Sequence, residues 1–139
     1  NFGLFYQQDY SGRIFPKPSA AAYANITRLL ESVEKCEEIS AGSDTVRAFR
    51  CGLKKENEEM LSLWSTKERL SNDSNENIVR TPNLPWVNQW KEKETVTISV
   101  EAKSAKVYDL MGNSYKIPVT DGKIEVEATG SPVFVKLEK

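Results

Sequence analysis

Histidine is absent from the 139-residue sequence. Ser-His-Asp triads, Cys-His dyads and zinc sites built from cysteine and histidine all require an imidazole, either as a base near neutral pH or as a neutral nitrogen ligand. The sequence also contains no Gly-rich phosphate loop and no cluster of metal-ligating side chains. We therefore predict no catalytic residue, no metal site and no cofactor, and an enzyme complete within this chain is disfavoured.

An excess of charge of one sign is also missing. The sequence has 19 Lys and Arg residues against 20 Asp and Glu residues, a formal net charge of -1, and no long basic run. This balance predicts neither a nucleic-acid partner nor binding to an anionic membrane surface. No apolar stretch approaches the roughly 20 residues that a membrane-spanning helix needs. The composition, 39% hydrophobic and 28% charged, is that of one globular domain.

Cysteine is scarce, and Cys36 and Cys51 are the whole complement. The sequence pattern places the first near the end of a helix and the second at the far end of a strand. Two interpretations stay open, a disulfide and a pair of buried thiols that act as small apolar side chains. We favour the thiols, because nothing in the predicted elements forces the two sulfur atoms together.

The first forty residues contain one helical pattern. Residues 2–6 form a short apolar run, typical of a strand buried on both faces, and residues 7–17 follow as a polar loop. The spacing then predicts a helix over residues 18–38, with Pro18 in its first turn, where a missing N–H costs nothing. An apolar stripe follows this helix at helical spacing, and it comprises Ala22, Ile26, Leu29, Val33 and Cys36.

From residue 45 the apolar period changes to two. Residues 45–51 and 59–65 read as a hairpin, and five further alternating runs lie at 95–101, 105–110, 114–119, 123–128 and 132–138. Asp121-Gly122 and other Gly-containing turns separate the last runs, so we predict a meander of five strands. The predicted fold is mainly β, an antiparallel two-sheet β-sandwich of about seven to eight strands over residues 45–139, with one N-terminal α-helix.

A long surface loop at residues 66–94 interrupts the strands. Its two tryptophans, Trp86 and Trp90, can either stack on sugars or fasten the loop to the body of the protein, and we favour the second role. Two triplets match the N-glycosylation pattern, Asn25-Ile26-Thr27 and Asn72-Asp73-Ser74. The first triplet lies inside the predicted helix.

A family resemblance covers nearly the whole chain except this loop. GLFYQQDYSGRIFPKPSAAAYANITRLL, residues 3–30, resembles the end of the catalytic barrel in (β/α)8 glycoside hydrolases, where the eighth strand and a Lys-Pro-Ser turn precede the eighth helix. RAFRCGLKKENEEMLSLWS, residues 47–65, and the last strands with the DLMGN turn resemble the small β-sandwich that follows such barrels. The resemblance implies a barrel remnant at residues 1–41 and a C-terminal β-sandwich domain at residues 42–139, with the long loop at 66–94.

The resemblance also implies a function. The two catalytic glutamates of such barrels lie at the ends of the fourth and seventh strands, and this chain resembles the barrel only from the eighth. We therefore expect a noncatalytic β-sandwich domain that packs against the catalytic barrel of its own parent chain, in a secreted or periplasmic enzyme. The alternative is a carbohydrate-binding module that presents surface aromatics to polysaccharide.

The residues that could contact sugar follow from the same resemblance. They are Trp86 and Trp90, together with Tyr6, Gln7, Asp9 and Tyr10 of the loop after the eighth strand, since barrel sites form at the carboxyl ends of the strands. An eighth strand also needs neighbours on both sides. A homodimer through residues 2–6 is therefore a further hypothesis.

Overall fold

The computed structural model describes residues 4–7, 14–55, 58–68 and 90–139. One helix and ten strands follow one another along the chain. They are β1 Phe5–Gln7, β2 Ile14–Pro16, α1 Pro18–Leu30, β3 Val33–Ile39, β4 Val46–Leu53, β5 Glu58–Ser65, β6 Glu94–Ser99, β7 Ser104–Tyr108, β8 Ser114–Ile117, β9 Lys123–Ala128 and β10 Val133–Glu138.

Eight of these strands build two antiparallel sheets. The larger sheet has the order β3-β4-β5-β10-β7-β8, and the smaller sheet pairs β6 with β9. The remaining strands, β1 and β2, pair with each other. The prediction of a mainly β, two-sheet antiparallel sandwich with one helix is confirmed, and so is the hairpin of β4 and β5.

The core lies between the two sheets and follows from the alternation of apolar residues. In β6 and β9 every second side chain is buried, and these residues meet the inner face of the larger sheet. A second apolar cluster lies on the outer face, where α1 covers the larger sheet. It comprises Leu29, Cys51, Leu53, Met60 and Phe134. The helix is therefore a third layer that packs on one side of the sandwich.

The predicted helix at residues 18–38 is too long. The helix ends at Leu30, and residues 33–39 form β3, an edge strand that pairs with β4. By their spacing, Val33 and Cys36 fit an apolar stripe of a helix as well as a strand. In the structure their segment pairs with β4, and the backbone of β4 supplies its hydrogen-bond partners. Tertiary pairing therefore decides the conformation of a segment whose local pattern was ambiguous.

The prediction of two free thiols is also wrong, again because residues 33–39 form a strand that pairs with β4. Once residue 36 belongs to β3, Cys36 and Cys51 stand directly opposite each other in the two-strand register, with their Cα atoms 4.1 Å apart, and they form a disulfide. This separation is short enough for the bond. Cys36 is exposed, whereas Cys51 lies beneath α1 and is 2% exposed.

The meander is the third correction. Of the last five strands only β7 and β8 are consecutive neighbours, because β9 crosses to pair with β6 and β10 inserts between β5 and β7. A period of two predicts that a strand has one apolar face, and it carries no information about which strand lies beside it.

The homodimer through residues 2–6 stays a prediction. In the described part of the chain, the single helix is too short and too polar to cross a membrane.

Candidate functional site

An apolar groove lies between α1 and the turn that joins β7 to β8. Its volume is about 370 Å³, and its lining is formed by Leu4, Pro18, Ser19, Ala22, Tyr23, Ile26, Leu110 and Met111. Tyr23 is 62% exposed and Leu4 is 37% exposed, although both are large apolar side chains. Contiguous exposed apolar surface of this kind is typical of surfaces that bind a protein, a membrane or a small ligand.

The start of α1 fixes one wall of this groove. Pro18 occupies the first helical position, where its missing N–H leaves no carbonyl unpaired, and Lys17 precedes it in an extended conformation. The Lys17 backbone N–H donates to the Leu4 carbonyl at 2.8 Å. This bond holds Leu4 against the first turn of the helix.

Asn25 fixes α1 to the opposite wall. Its side chain is 7% exposed, and its Nδ2 donates to the carbonyl oxygens of Asp109 at 3.0 Å and Leu110 at 3.3 Å. Arg28 in turn donates to Asn25 Oδ1 at 3.0 Å. Gly112 has φ of 91°, and a Cβ there would lie 3.2 Å from Asn25 Oδ1, so a glycine suits both the turn and the close approach.

This arrangement also decides the first glycosylation triplet. A glycan would be attached to Asn25 Nδ2, and in the folded chain that nitrogen is buried and donates two hydrogen bonds. Asn25 therefore joins α1 to the turn between β7 and β8, and in the folded chain its side chain is not accessible for attachment of a glycan. The sequence indicates this structural role only by the position of Asn25, a polar residue on the apolar side of the helix next to Ile26 and Leu29. The second triplet lies outside the described residues.

Hydrogen bonds within the turn fix its conformation. Asp109 accepts hydrogen bonds from the Asn113 backbone N–H at 2.8 Å and from Asn113 Nδ2 at 2.7 Å, and its own carbonyl accepts from the Gly112 N–H at 3.1 Å. These bonds close the turn at both ends and fix Leu110 and Met111 in the wall of the groove. The groove is thus preformed.

Of the six residues that the sequence proposed for sugar contact, the structure describes Tyr6, Gln7 and Trp90. Tyr6 and Gln7 lie in β1, where their backbones pair with residues 15 and 14 of β2. Asp9, Tyr10 and Trp86 lie outside the described residues. Trp90 is partly buried, and a Cβ placed on Gly130 would lie 2.3 Å from its ring, so the ring packs against the Gly130 backbone.

The two ends of the long loop are fastened to each other. Glu68 Oε2 accepts the backbone N–H groups of Lys91 at 2.7 Å and Glu92 at 2.9 Å. Hydrogen bonds to the charged carboxylate, the one from Glu92 first, lower the pKa of Glu68. Lys67 and Glu92 form an ion pair at 3.4 Å beside them. Residues 67–68, before the loop, and residues 91–92, after it, therefore lie side by side on the sandwich.

Two further carboxylates join elements of the sandwich. Glu94, at the start of β6, accepts hydrogen bonds from Ser43 Oγ and from Thr45 Oγ1, the latter at 2.6 Å, and the Ser43 bond is the larger cause of its lowered pKa. Glu58 accepts from Lys55 and from Lys136, and these bonds, Lys55 first, lower its pKa. Among the residues that the structure describes, no group of three or more His, Cys, Asp or Glu side chains could hold a metal ion.

Comparison with known proteins supports the fold. No protein-family model matches this chain, and no curated protein matches it. Among solved structures, the chain is similar to a family 39 glycoside hydrolase from the gut symbiont Bacteroides cellulosilyticus WH2, with a TM-score of 0.56 and 17% sequence identity. The similarity covers 90% of this chain and 20% of that hydrolase, so this fold corresponds to a small part of its structural neighbour.

Proposed function

We propose that this chain is a noncatalytic C-terminal β-sandwich region of a glycoside hydrolase, and that it packs against the catalytic barrel and stabilises it. The structural similarity to a fifth of a glycoside hydrolase supports the membership, and the resemblance of residues 3–30 to the end of a barrel supports the position in the parent chain. The apolar groove beside α1 is the observation that carries the packing role.

The order of the N-terminal elements and the side chains of α1 that line the groove support a barrel as the structure that covers the groove. In a (β/α)8 barrel each strand is followed by a helix that packs on its neighbours. Here β1 and β2 make strand pairs only with each other among the described residues, and α1 follows them with Ala22, Tyr23 and Ile26 facing the groove. Neighbouring helices pack about 8–10 Å apart, so the small side chain of Ala22 favours the close approach of another helix.

Three carboxylates of the sandwich lack the raised pKa that a catalytic acid needs. Retaining and inverting glycosidases need one carboxyl group whose pKa is raised, so that it can protonate the leaving oxygen, and a second one across the sugar ring. Glu58, Glu68 and Glu94 instead have lowered pKa values, because each accepts structural hydrogen bonds. They are suited to join elements and poorly suited to donate a proton.

The carbohydrate-binding alternative receives less support. A module of that kind displays a row of exposed aromatic rings, whereas the exposed Tyr23 and Tyr115 lie on different elements, α1 and β8. Trp90 packs against Gly130, and Trp64 stacks on Phe49 with the ring centroids 5.6 Å apart. Packing of this kind is typical of anchors.

An activity assay tests the noncatalytic assignment. The purified 139-residue chain and the whole parent enzyme are incubated with a broad set of aryl glycosides, and release of the aryl group is recorded. We expect release by the parent only, and no release above buffer by the chain. Release that disappears when a carboxylate within this sequence is replaced would contradict the proposal. Removal of residues 33–139, which include all the strands of the two sheets, should also lower the temperature at which the barrel of the parent unfolds.

A further inference from the structure

A second groove lies on the outer face of the β6–β9 sheet, beside the connection from β8 to β9. Its volume is about 500 Å³. One wall consists of Thr97, Lys123 and Glu125 on the two strands, and the other is the connection from β8 to β9, with Ile117, Pro118, Thr120 and Asp121. The volume lies within the usual range for small-molecule sites.

Hydrogen bonds hold both walls in place. Thr97 and Glu125 are directly opposite in the register of the two strands, so their side chains leave the sheet side by side. In the connection, Thr120 and Lys123 exchange two backbone hydrogen bonds of 2.9 Å around a turn in which Asp121 has φ of 50° and Gly122 has φ of 69°. The Val100 N–H donates to the Gly122 carbonyl at 2.8 Å and ties this turn to the end of β6.

The polar side chains of the groove are exposed to solvent. Across the described ranges of the chain, Thr97, Thr120, Asp121, Lys123 and Glu125 make no side-chain hydrogen bond or ion pair. The next outward residue of β9 behaves differently, because Glu127 pairs with Lys93 at 2.8 Å. The groove thus offers two carboxylates, one ammonium and two hydroxyls on a fixed frame.

We propose that this groove binds a neutral oligosaccharide through one or two of its sugar units. Carboxylates accept hydrogen bonds from sugar hydroxyls, an ammonium donates to hydroxyl and ring oxygens, and hydroxyl side chains do both. Ile117 and Pro118 supply apolar surface for the C–H face of a ring. The excess of one negative charge disfavours an anionic ligand. This site is independent of the proposed docking to a barrel.

Solution NMR tests the proposal on the 139-residue chain. Maltose, cellobiose, xylobiose and lactose are titrated separately into ¹⁵N-labelled protein. We expect saturable shifts of the backbone amides at residues 97 and 120–125 with at least one of these sugars. Asp121→Asn together with Glu125→Gln should weaken binding at least about tenfold, because both changes keep the shape and remove the charge. Asn tolerates the positive φ at residue 121.

Glu127→Gln is the matched control, since it removes a carboxylate from the same strand outside the groove, and it should leave the affinity unchanged. The inference is overturned if no sugar gives saturable shifts there, or if the control weakens binding as much as the double variant. Tighter binding of a disaccharide that contains glucuronate, or binding that requires added Ca²⁺, would contradict the assignment to a neutral ligand. The spectra of the variants report directly on whether they are folded.

Discussion

At the scale of single residues, the joint between helix and sandwich depends on Asn25. Replacing it with alanine removes the bonds to the carbonyls of Asp109 and Leu110 and leaves Arg28 without its acceptor. A lost pair of buried hydrogen bonds costs about 1–3 kcal/mol. We expect Asn25→Ala to lower the free energy of unfolding, measured with urea, by that amount.

Thr27→Ala is the matched control for this change. It also destroys the glycosylation triplet, but the Thr27 hydroxyl only donates to the Tyr23 carbonyl within the exposed side of the same helix. The control should change the stability by less than about 0.5 kcal/mol. Equal costs for the two variants would show that Asn25 is no joint.

A second residue-scale prediction concerns Trp90. A Cβ on Gly130 would lie 2.3 Å from the ring, so Gly130→Ala must displace either the tryptophan or the backbone. Overpacking of this kind costs about 1–3 kcal/mol. Gly52→Ala provides the comparison, because a Cβ there meets nothing within 4 Å. Thermal unfolding should show a clear loss at residue 130 alone, and an unchanged melting temperature for Gly130→Ala would mean that the ring is not an anchor.

At the scale of elements, the edge strand β3 is held by its disulfide. Cys36 and Cys51 are 15 residues apart, and in the chain-entropy account a closed loop of this length contributes about 3 kcal/mol. We expect a reducing agent to lower the melting temperature of the natural chain and to have no effect on a Cys36→Ala, Cys51→Ala double variant. The account of β3 fails if reduction leaves the natural chain as stable as before.

The carboxylates that join elements predict a dependence of stability on pH. The pKa of Glu94 is lowered in the folded chain, with the Ser43 hydrogen bond as the main cause, from an ordinary value of 4.5. A lowered folded pKa means that the folded state favours the charged form, so this stabilisation is complete above the unfolded pKa and disappears as pH falls through the folded one. Glu58 and Glu68 act in the same direction.

We therefore expect the melting temperature to fall as the pH is lowered from about 5 to about 3, and to fall less steeply in Glu94→Gln. Glu101→Gln serves as the control, since Glu101 is exposed and makes no hydrogen bond or ion pair within the described ranges. A profile for Glu94→Gln that parallels the natural one would show that the Ser43 and Thr45 bonds do not act on folding.

The elements also show how far the sequence predicts the structure. The alternation of apolar and polar residues was sufficient to predict β6 and β9, because both strands have one face in the core and one in solvent. The end of α1 was not predictable, since residues 33–39 carry a pattern that fits helix and strand, and only pairing with β4 decides between them. The disulfide followed from that pairing. The apolar groove could be expected only in part, because its second wall is the turn at residues 109–113, distant in sequence from α1.

At the scale of the whole molecule, the apolar side chains that the structure describes lie in three different environments. One part fills the core between the sheets, a second lies beneath α1, and a third remains open in the groove around Tyr23. The first joins the two sheets, and the second joins α1 to the larger sheet. The third is explained by the proposed function, in which the barrel of a glycoside hydrolase covers it.

Docking of the apolar groove on a barrel is tested by a comparison of Tyr23→Glu with Tyr115→Glu. The two tyrosines are 62% and 54% exposed, but only Tyr23 lines the apolar groove. Each change is made both in the 139-residue chain and in the whole parent enzyme, and thermal unfolding is recorded for all four proteins. In the isolated chain both changes should cost less than about 0.5 kcal/mol, because both side chains face solvent.

In the parent enzyme the account predicts a different result for the two positions. Tyr23→Glu should lower the melting temperature by several degrees, because it buries a charge in the apolar contact with the barrel, and Tyr115→Glu should leave it unchanged. The account is contradicted if Tyr23→Glu costs no more in the whole enzyme than in the isolated chain.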